Sequence, residues 1–432
     1  MNSKLEKEIS ELLEKKVITP DTAQKITAYY LSKKEDRPNR LFTIFGVLGA
    51  LLSGLGIILI IAHNWDNMST HLKTVFAFIP LIIGQVACAF SLLKKKGTTW
   101  VESSTTFLIL SVGATISLIS QIYHIPGDLS KFLFLWAIIT APLIYLLRSN
   151  IAVIIHLILI TWYACNLGYA YKGPSPWWYI LLFAFVVPYY LHLQKRQTLS
   201  NIAGILNWFL PLSLIITLGT FGKGDTESFM MYLAMFGLFY NLGELPIFKH
   251  QKLRRNGYTV IGSLGTIFIL MVLSFQWFWK DASIDSHTTV DSLLVGTLFF
   301  MAIAVLGYLH LKRHVNDFNL FRYAFIIIGL LYITHSFGYV HNIVFTNLLI
   351  AALGLSAIKI GVRKSSYAIL NYGLLIITIL IICRFFDTDL DFIFRGLLFI
   401  SVGIGFFLAN YLLLKKQRSL TFKDNSKKEN NA

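Results

Sequence analysis

The chain has 432 residues, of which 55% are hydrophobic and only 14% charged, and its formal net charge is +16. A soluble globular protein carries about a quarter charged residues, so a single soluble core is excluded and a protein of many membrane spans is indicated. An excess of Lys and Arg also suits nucleic acid, but its distribution along this chain argues against that partner, as shown below.

Residues 1–40 are mostly polar. LEKEISELLEKKV sets Leu5, Ile9, Leu12 and Leu13 at helical spacing. ITPDTAQKITAYYL then starts a second helix, with Thr19 as N-cap, Pro20 at the first helical position and Asp21 behind it. The expectation is a cytoplasmic helical hairpin, too small to bury a core alone. It serves either as a lid on the membrane domain or as a docking element for a partner. The apolar run that follows, 41–62, is longer than the roughly 7–15 residues of a cleaved secretory signal, so it is expected to stay as the first span.

Apolar runs of about twenty residues, the length that crosses roughly 30 Å of hydrocarbon, recur from there to the end. They fall at 41–62, 74–93, 104–122, 131–147, 150–170, 177–193, 201–220, 229–247, 257–278, 291–311, 320–337, 343–360, 366–384 and 394–414. The fold class is therefore all-α: a polytopic bundle of about fourteen helices over 41–414, followed by a basic, disordered cytoplasmic tail at 415–432. Lys and Arg test the count, because they concentrate in cytoplasmic loops. Of the 38, 31 fall in the N-tail, the even-numbered loops, the span ends that flank them at Arg322 and Lys359, and the C-tail. The alternation stays in phase to the end, which puts both termini in the cytoplasm. It also explains the net charge as obedience to an insertion rule, with an inner surface suited to anionic headgroups.

Trp65, Trp177, Trp178, Trp277 and Trp279 fall at outer span ends and Trp100 at an inner one, the positions of an interfacial aromatic belt. Gly46, Ala50 and Gly54, and Ser401, Gly405 and Ala409, recur every fourth residue and read as packing seams. Cys88, Cys165 and Cys383 each lie inside a different apolar run. No Cys-x-x-Cys or finger spacing appears, so neither a disulfide framework nor a structural zinc site is indicated.

Few groups in the spans carry chemistry. Apart from Asp291 at the very start of the tenth span, Glu244, in LGELPIF, is the one carboxylate inside an expected span, and Lys249, Arg254 and Arg255 are its nearby basic neighbours in sequence. It reads as an ion-paired interfacial side chain rather than a coupling site. Gln85, Ser117, Gln121, His156, Asn166, Asn207 and Asn371 are the deeper polar groups. Singly each glues helices together; together they line a cavity for a neutral or zwitterionic substrate.

In the outer loops, IIAHNWDNMSTHLK sets His63, Asp66 and His71 close together, but its spacing fixes no zinc geometry. Asp387-Thr-Asp-Leu-Asp391 lacks the Gly turn and bidentate Glu of an EF-hand. No metal and no cofactor is expected. Asp66, with Asp128 in the next outer loop, also occupies the place where membrane glycosyltransferases acting on lipid-linked sugars carry an acid. Those enzymes usually carry a long external loop or domain, whereas every outer loop here is short.

The N-terminal hairpin, Ala62-His-Asn-Trp-Asp66, Gln121-Ile-Tyr-His124 with Asp128, Trp136 and Arg148-Ser149 together resemble a bacterial family of membrane proteins known as domain of unknown function 2157. The resemblance covers about the first 150 residues; Leu129-Ser-Lys131 departs from the aromatic-containing pattern of the family. It implies a bacterial cytoplasmic (inner) membrane protein and transfers no catalytic residue.

The function expected is non-enzymatic: transport or flipping of a lipid or glycan of the envelope, through an outward-facing polar site. Membrane lipids are the partners, and Trp65, Asp66, Gln121, Tyr123, Asp128, Gln85 and Asn207 are the substrate-binding candidates. The alternatives are a membrane transferase using Asp66 and Asp128 on a lipid-linked substrate, and a scaffold that recruits a partner through the hairpin.

Overall fold

The structure is a computed structural model, and it describes residues 3–15, 17–35, 65–170, 173–222, 225–249, 251–281, 289–312, 318–333 and 339–387, with 393, 396–397, 400, 403–405, 407 and 411. The expected first span (41–62) with its Gly46–Ala50–Gly54 stripe, His63, Asn64, the Asp389 and Asp391 carboxylates, most of the 394–414 span and the 415–432 tail lie outside the described residues.

Among the described residues every regular element is helical. The chain divides into two compact units, Met1–Phe76 and Ala77–Ala432. The first holds α1 (Ser3–Glu14), α2 (Pro20–Glu35) and a 3-10 turn, Trp65–Asn67. Helix α2 starts as its sequence dictates: Thr19 Oγ1 accepts from the Thr22 backbone N–H at 3.3 Å, and Pro20 takes the position where a missing N–H costs nothing. Exposed i,i+4 pairs, Lys15–Glu11 at 2.6 Å and Lys25–Asp21 at 2.7 Å, lie along the two helices.

Helix α3 (Thr70–Leu93) begins before the division and continues into the second unit. The rest of that unit comprises α4 (Thr98–Ile122), α5 (Leu129–Thr140), α6 (Leu143–Leu146), α7 (Asn150–Gly168), α8 (Trp177–Arg196), α9 (Asn201–Leu218), α10 (Asp225–Gly243), α11 (Pro246–Lys249), α12 (Gly257–Leu273), α13 (Gln276–Asp281), α14 (Thr289–Leu311), α15 (Ala324–Ile333), α16 (Tyr339–Arg363) and α17 (Tyr367–Asp387).

Eight helices among the described residues are long and apolar enough to cross a membrane. They fall on the second, third, fourth, fifth, seventh, tenth, twelfth and thirteenth expected spans. Three more, Ser228–Gly243, Gly257–Leu273 and Ala324–Ile333, are apolar but shorter. Helix α8 has 20 residues, and its Trp177, Trp178, Tyr179, Tyr189, Tyr190 and His192 dilute its apolar character. The expected span 131–147 is not one continuous helix: it breaks at Ala141-Pro142, where proline has no N–H to continue the ladder.

Lipid tails are as apolar as leucine, so helix association in a membrane rests on close packing and interhelical hydrogen bonds. Both are present. A Cβ on Gly262 of α12 would lie 2.5 Å from the Tyr240 backbone nitrogen of α10, and one on Gly373 of α17 would lie 2.7 Å from the Gly354 carbonyl oxygen of α16. These crossings exist because both positions are glycine.

Hydrogen bonds between elements sort the helix ends of this unit into two sets. At the first end Glu102 meets Ser149 and Asn150, Tyr189 meets Asn150, Gln194 meets Asn207, and Asn207 meets Arg255. At the second, Asn166 Nδ2 donates to Ser130 Oγ (2.7 Å), the Tyr169 hydroxyl to the Ile216 carbonyl (2.7 Å), and the Gly219 N–H to the Tyr232 hydroxyl (3.1 Å). Trp279, expected in the interfacial belt, is instead 1% exposed, with its indole N–H donated to the Leu273 carbonyl. The short turn at Ser274-Phe275 between α12 and α13 brings the ring within reach of that helix end.

Candidate functional site

The densest polar cluster of the first end forms where α4, α7 and α8 meet. Glu102, in the second turn of α4, reaches the start of α7. Its carboxylate accepts from the Ser149 hydroxyl, the Asn150 backbone N–H (2.9 Å), Asn150 Nδ2 (3.0 Å) and the Ile151 backbone N–H (3.1 Å). A helix leaves its first N–H groups without intrahelical partners. Here Ser149 Oγ caps the Ala152 N–H at 3.2 Å, and a carboxylate from another helix takes the two N–H groups before it. The negative charge also sits at the positive end of the α7 dipole. Sequence reading passed over Glu102, because it lies two residues ahead of the apolar run.

Asn150 passes this anchoring on. Its Oδ1 accepts from the Tyr189 hydroxyl at 2.9 Å, and that hydroxyl also lies 3.3 Å from the Arg148 carbonyl oxygen. Arg148 has φ 50°, the left-handed conformation that turns the chain sharply from α6 into the Ser149 cap.

Beside this group opens a cavity of about 660 Å³. Tyr145, Pro188, Tyr189 and Leu193 give its walls an apolar part, while Arg148, Asn150, His192 and Arg196 give it a polar one. The Tyr145 and Phe185 rings pack edge to face at 5.0 Å, and Tyr145 and Tyr189 at 6.2 Å, so its aromatic wall is braced. The side chains of Arg148, His192 and Arg196 are exposed and have no hydrogen-bond or ion-pair partner among the described residues.

Two other arginines of this end, Arg255 and Arg322, are committed, while Lys195 and Arg254 are exposed and do not line this cavity. Arg255 donates to the Ser200 and Thr198 carbonyls. Asn207, fully buried, accepts from the Tyr190 hydroxyl (2.7 Å) and Gln194 Nε2, and donates to Gln251 Oε1 (3.3 Å) and the Arg255 carbonyl (2.8 Å). Arg322 pairs with Glu244 at 2.8 Å, their side chains 5% and 17% exposed. Glu244 is thus ion-paired, but to Arg322 rather than to the basic residues that follow it in sequence. The loop preceding α15 brings that arginine from 78 residues away.

The sequence candidates separate. Asn207 belongs to the first end and is occupied in joining α8, α9 and the turn before α12. Gln121 and Tyr123 are exposed at the C-terminus of α4, at the second end, and Gln85 is exposed along α3. Asp128 is the N-cap of α5: its Oδ1 accepts from the Lys131 backbone N–H at 2.8 Å, with Lys131 Nζ 3.5 Å away. That backbone hydrogen bond, aided by the lysine charge, holds its pKa below the usual carboxylate value. Trp65, in the first unit, is half-buried with Lys73 Nζ 5.7 Å from its ring centre; Asp66 shares its 3-10 turn, and its side chain is outside the described set. Among the described residues no group of three His, Cys, Asp or Glu side chains is placed to hold a metal ion.

The segment that carries Glu102, Arg148, Ser149 and Asn150 is also the part of the chain with a recognisable family. Residues 10–153 match the family model described as Predicted membrane protein (DUF2157). The match bears out the resemblance read from the first 150 residues, and it ends at the first turn of α7. Tyr189, His192 and Arg196, which also line the cavity, lie beyond it. No curated protein and no solved structure matches the chain significantly.

Proposed function

We propose that this chain is a fourteen-span protein of the bacterial inner membrane, both termini in the cytoplasm, that binds an amphipathic envelope lipid and moves it without altering it chemically. The observation that carries the reading is the 660 Å³ cavity beside Glu102 and Asn150, whose lining joins apolar and aromatic surface to exposed cations. A lipid presents the same combination where its headgroup meets its chains. The orientation has support of its own. Lys94 to Lys96, Arg148, Lys195-Arg196, Arg254-Arg255 and Lys312 all lie in the loops joined at the first end, which the positive-inside rule assigns to the cytoplasm. The transferase reading rests on Asp66 and Asp128 together, and Asp128 already uses a carboxylate oxygen to cap α5.

The test is lipid movement in vesicles. Purified protein is reconstituted with a trace of headgroup-labelled phospholipid, and the label in the outer leaflet is destroyed with an impermeant reductant. Movement brings inner-leaflet label out, so bleaching beyond the outer leaflet is expected with protein present. Bleaching identical to that of protein-free vesicles, across anionic and zwitterionic lipids, would refute the reading.

A further inference from the structure

We infer that the α6–α8 cavity is a binding site for a phosphate-bearing lipid headgroup, held by Arg148, Arg196 and His192. The inference deepens the lipid reading above and rests on it for the source of the phosphate. Its first support is the distribution of counter-charge. At this end of the bundle Arg255 and Arg322 are tied to carbonyl and carboxylate oxygens, whereas Arg148, Arg196 and His192 have no such partner among the described residues and line one cavity. Two guanidinium groups are suited to a tetrahedral oxyanion, since each offers a planar fork of donors.

The second support is the treatment of the nearby negative charge. Glu102 is bonded to Asn150, which lines the cavity, and four donors from Ser149, Asn150 and Ile151 absorb its charge. Its carboxylate is therefore turned into the helix start rather than toward the arginines, which remain available to a ligand. The floor is meanwhile fixed, with Asn150 tied to Glu102 on one side and Tyr189 on the other. Tyr145, Pro188 and Leu193 extend the cavity as apolar wall, and a free phosphate has no use for such surface. That wall is the argument for a lipid rather than a soluble anion. Glu102 is here a positioning residue: it holds Asn150 and the α7 start and need not touch the ligand.

The experiment uses the full chain in detergent micelles, read by native mass spectrometry. Phosphatidylglycerol, diacylglycerol and inorganic phosphate are titrated separately against wild type, R148Q/R196Q and R254Q. Arg254 is an exposed arginine of the same end that does not line the cavity. Wild type and R254Q are expected to retain phosphatidylglycerol alike, and the double variant to retain it at least tenfold less well. Diacylglycerol, which lacks the phosphate, is expected to bind weakly to all three. Equal retention by the double variant and wild type overturns the site, as does equal retention of diacylglycerol and phosphatidylglycerol. Tight binding of inorganic phosphate, lost in the double variant, overturns the lipid source while locating an anion in the cavity. Thermal unfolding of each variant in the same detergent checks that folding is retained, and R148K/R196K, which keeps the charge, recovers most of the binding if folding is intact. Lipid movement that persists without arginine-dependent retention would separate failure of this site from failure of the transport reading.

Discussion

Replacing Glu102 with Gln tests the central structural claim about the cavity floor. The carboxylate uses both oxygens: Oε1 accepts from the Asn150 backbone and side-chain N–H groups, and Oε2 from the Ser149 hydroxyl and the Ile151 N–H. A glutamine has one acceptor oxygen, so its amide nitrogen must face one pair of donors. The better choice keeps the Asn150 pair and turns the NH₂ toward Ser149, which leaves the Ile151 N–H without its partner. Hydrogen bonds to a charged group are worth about 1.5–3 kcal/mol each, and the loss of charge at the helix start adds about 0.5 kcal/mol. Glu102 is only half-buried, and water can take part of the load, so the expected net loss is roughly 2 kcal/mol. Glu102→Ala, which keeps neither acceptor, is expected to lose about 3 kcal/mol. Equilibrium unfolding in mixed micelles gives the total, and amide hydrogen exchange locates it. Protection should fall at Asn150 and Ile151 in α7 and stay unchanged in the first turn of α9, which is capped separately by Ser200. If E102Q unfolds like wild type and its α7 amides exchange at the wild-type rate, the carboxylate does not cap that helix and the account of the fixed floor is wrong.

Three further outcomes follow from the packing. Single removal of either partner of the Glu244–Arg322 pair, as E244Q or R322M, is expected to cost about 3 kcal/mol because it strands a buried charge, while E244Q/R322M should cost distinctly less than the two singles combined; additive losses in a double-mutant cycle would show the two charges to be independent. Gly262→Ala should lose about 1–3 kcal/mol in the same assay, since the added methyl meets the Tyr240 backbone, whereas Gly296→Ala, with open space around it, should stay within about 0.5 kcal/mol of wild type; equal effects would contradict the α10–α12 crossing. The Asp128 cap depends on the ionised carboxylate, whose pKa is lower folded than unfolded. Its contribution is therefore fully present above the ordinary carboxylate pKa and lost as the pH falls through the depressed folded value. Exchange protection at the start of α5 should decline over that acidic window in wild type and show no such step in D128N.

What could be read from the sequence follows from what the lipid environment imposes. Apolar runs bounded by loops mark the helices because a spanning backbone must satisfy its own hydrogen bonds, and a local cap such as Thr19 is legible because it acts on the residue three positions on. Which face of each helix points inward was not legible. A soluble helix shows its buried face by contrast with a polar one, but a spanning helix is apolar all round. Gln85 and Asn207 therefore looked alike as polar residues in apolar runs, and only the fold shows one exposed and the other buried among four partners. Pairings between distant segments were equally hidden: Glu102 acts 47 to 49 residues away, and Glu244 finds its arginine 78 residues on.

That asymmetry makes the unspent charges more informative than the satisfied ones. In a bundle held by hydrogen bonds, most polar side chains near the helix ends have a structural explanation: Asn207 and Arg255 tie α9 to the turn before α12, Arg322 neutralises Glu244, Asp128 starts α5 and Glu102 starts α7. Each removes itself from the list of groups that need a ligand to account for them. Arg148, His192 and Arg196 stay on it and line one cavity, unlike the exposed Lys195 and Arg254 of the same end. The positive-inside rule accounts for basic residues gathered at one end of a bundle, but not for three of them lining one cavity next to an acid already taken up by four donors. A headgroup site accounts for the cations, the apolar wall and the braced floor together, and it ties the part of the chain shared with DUF2157 to α8, which lies outside that match.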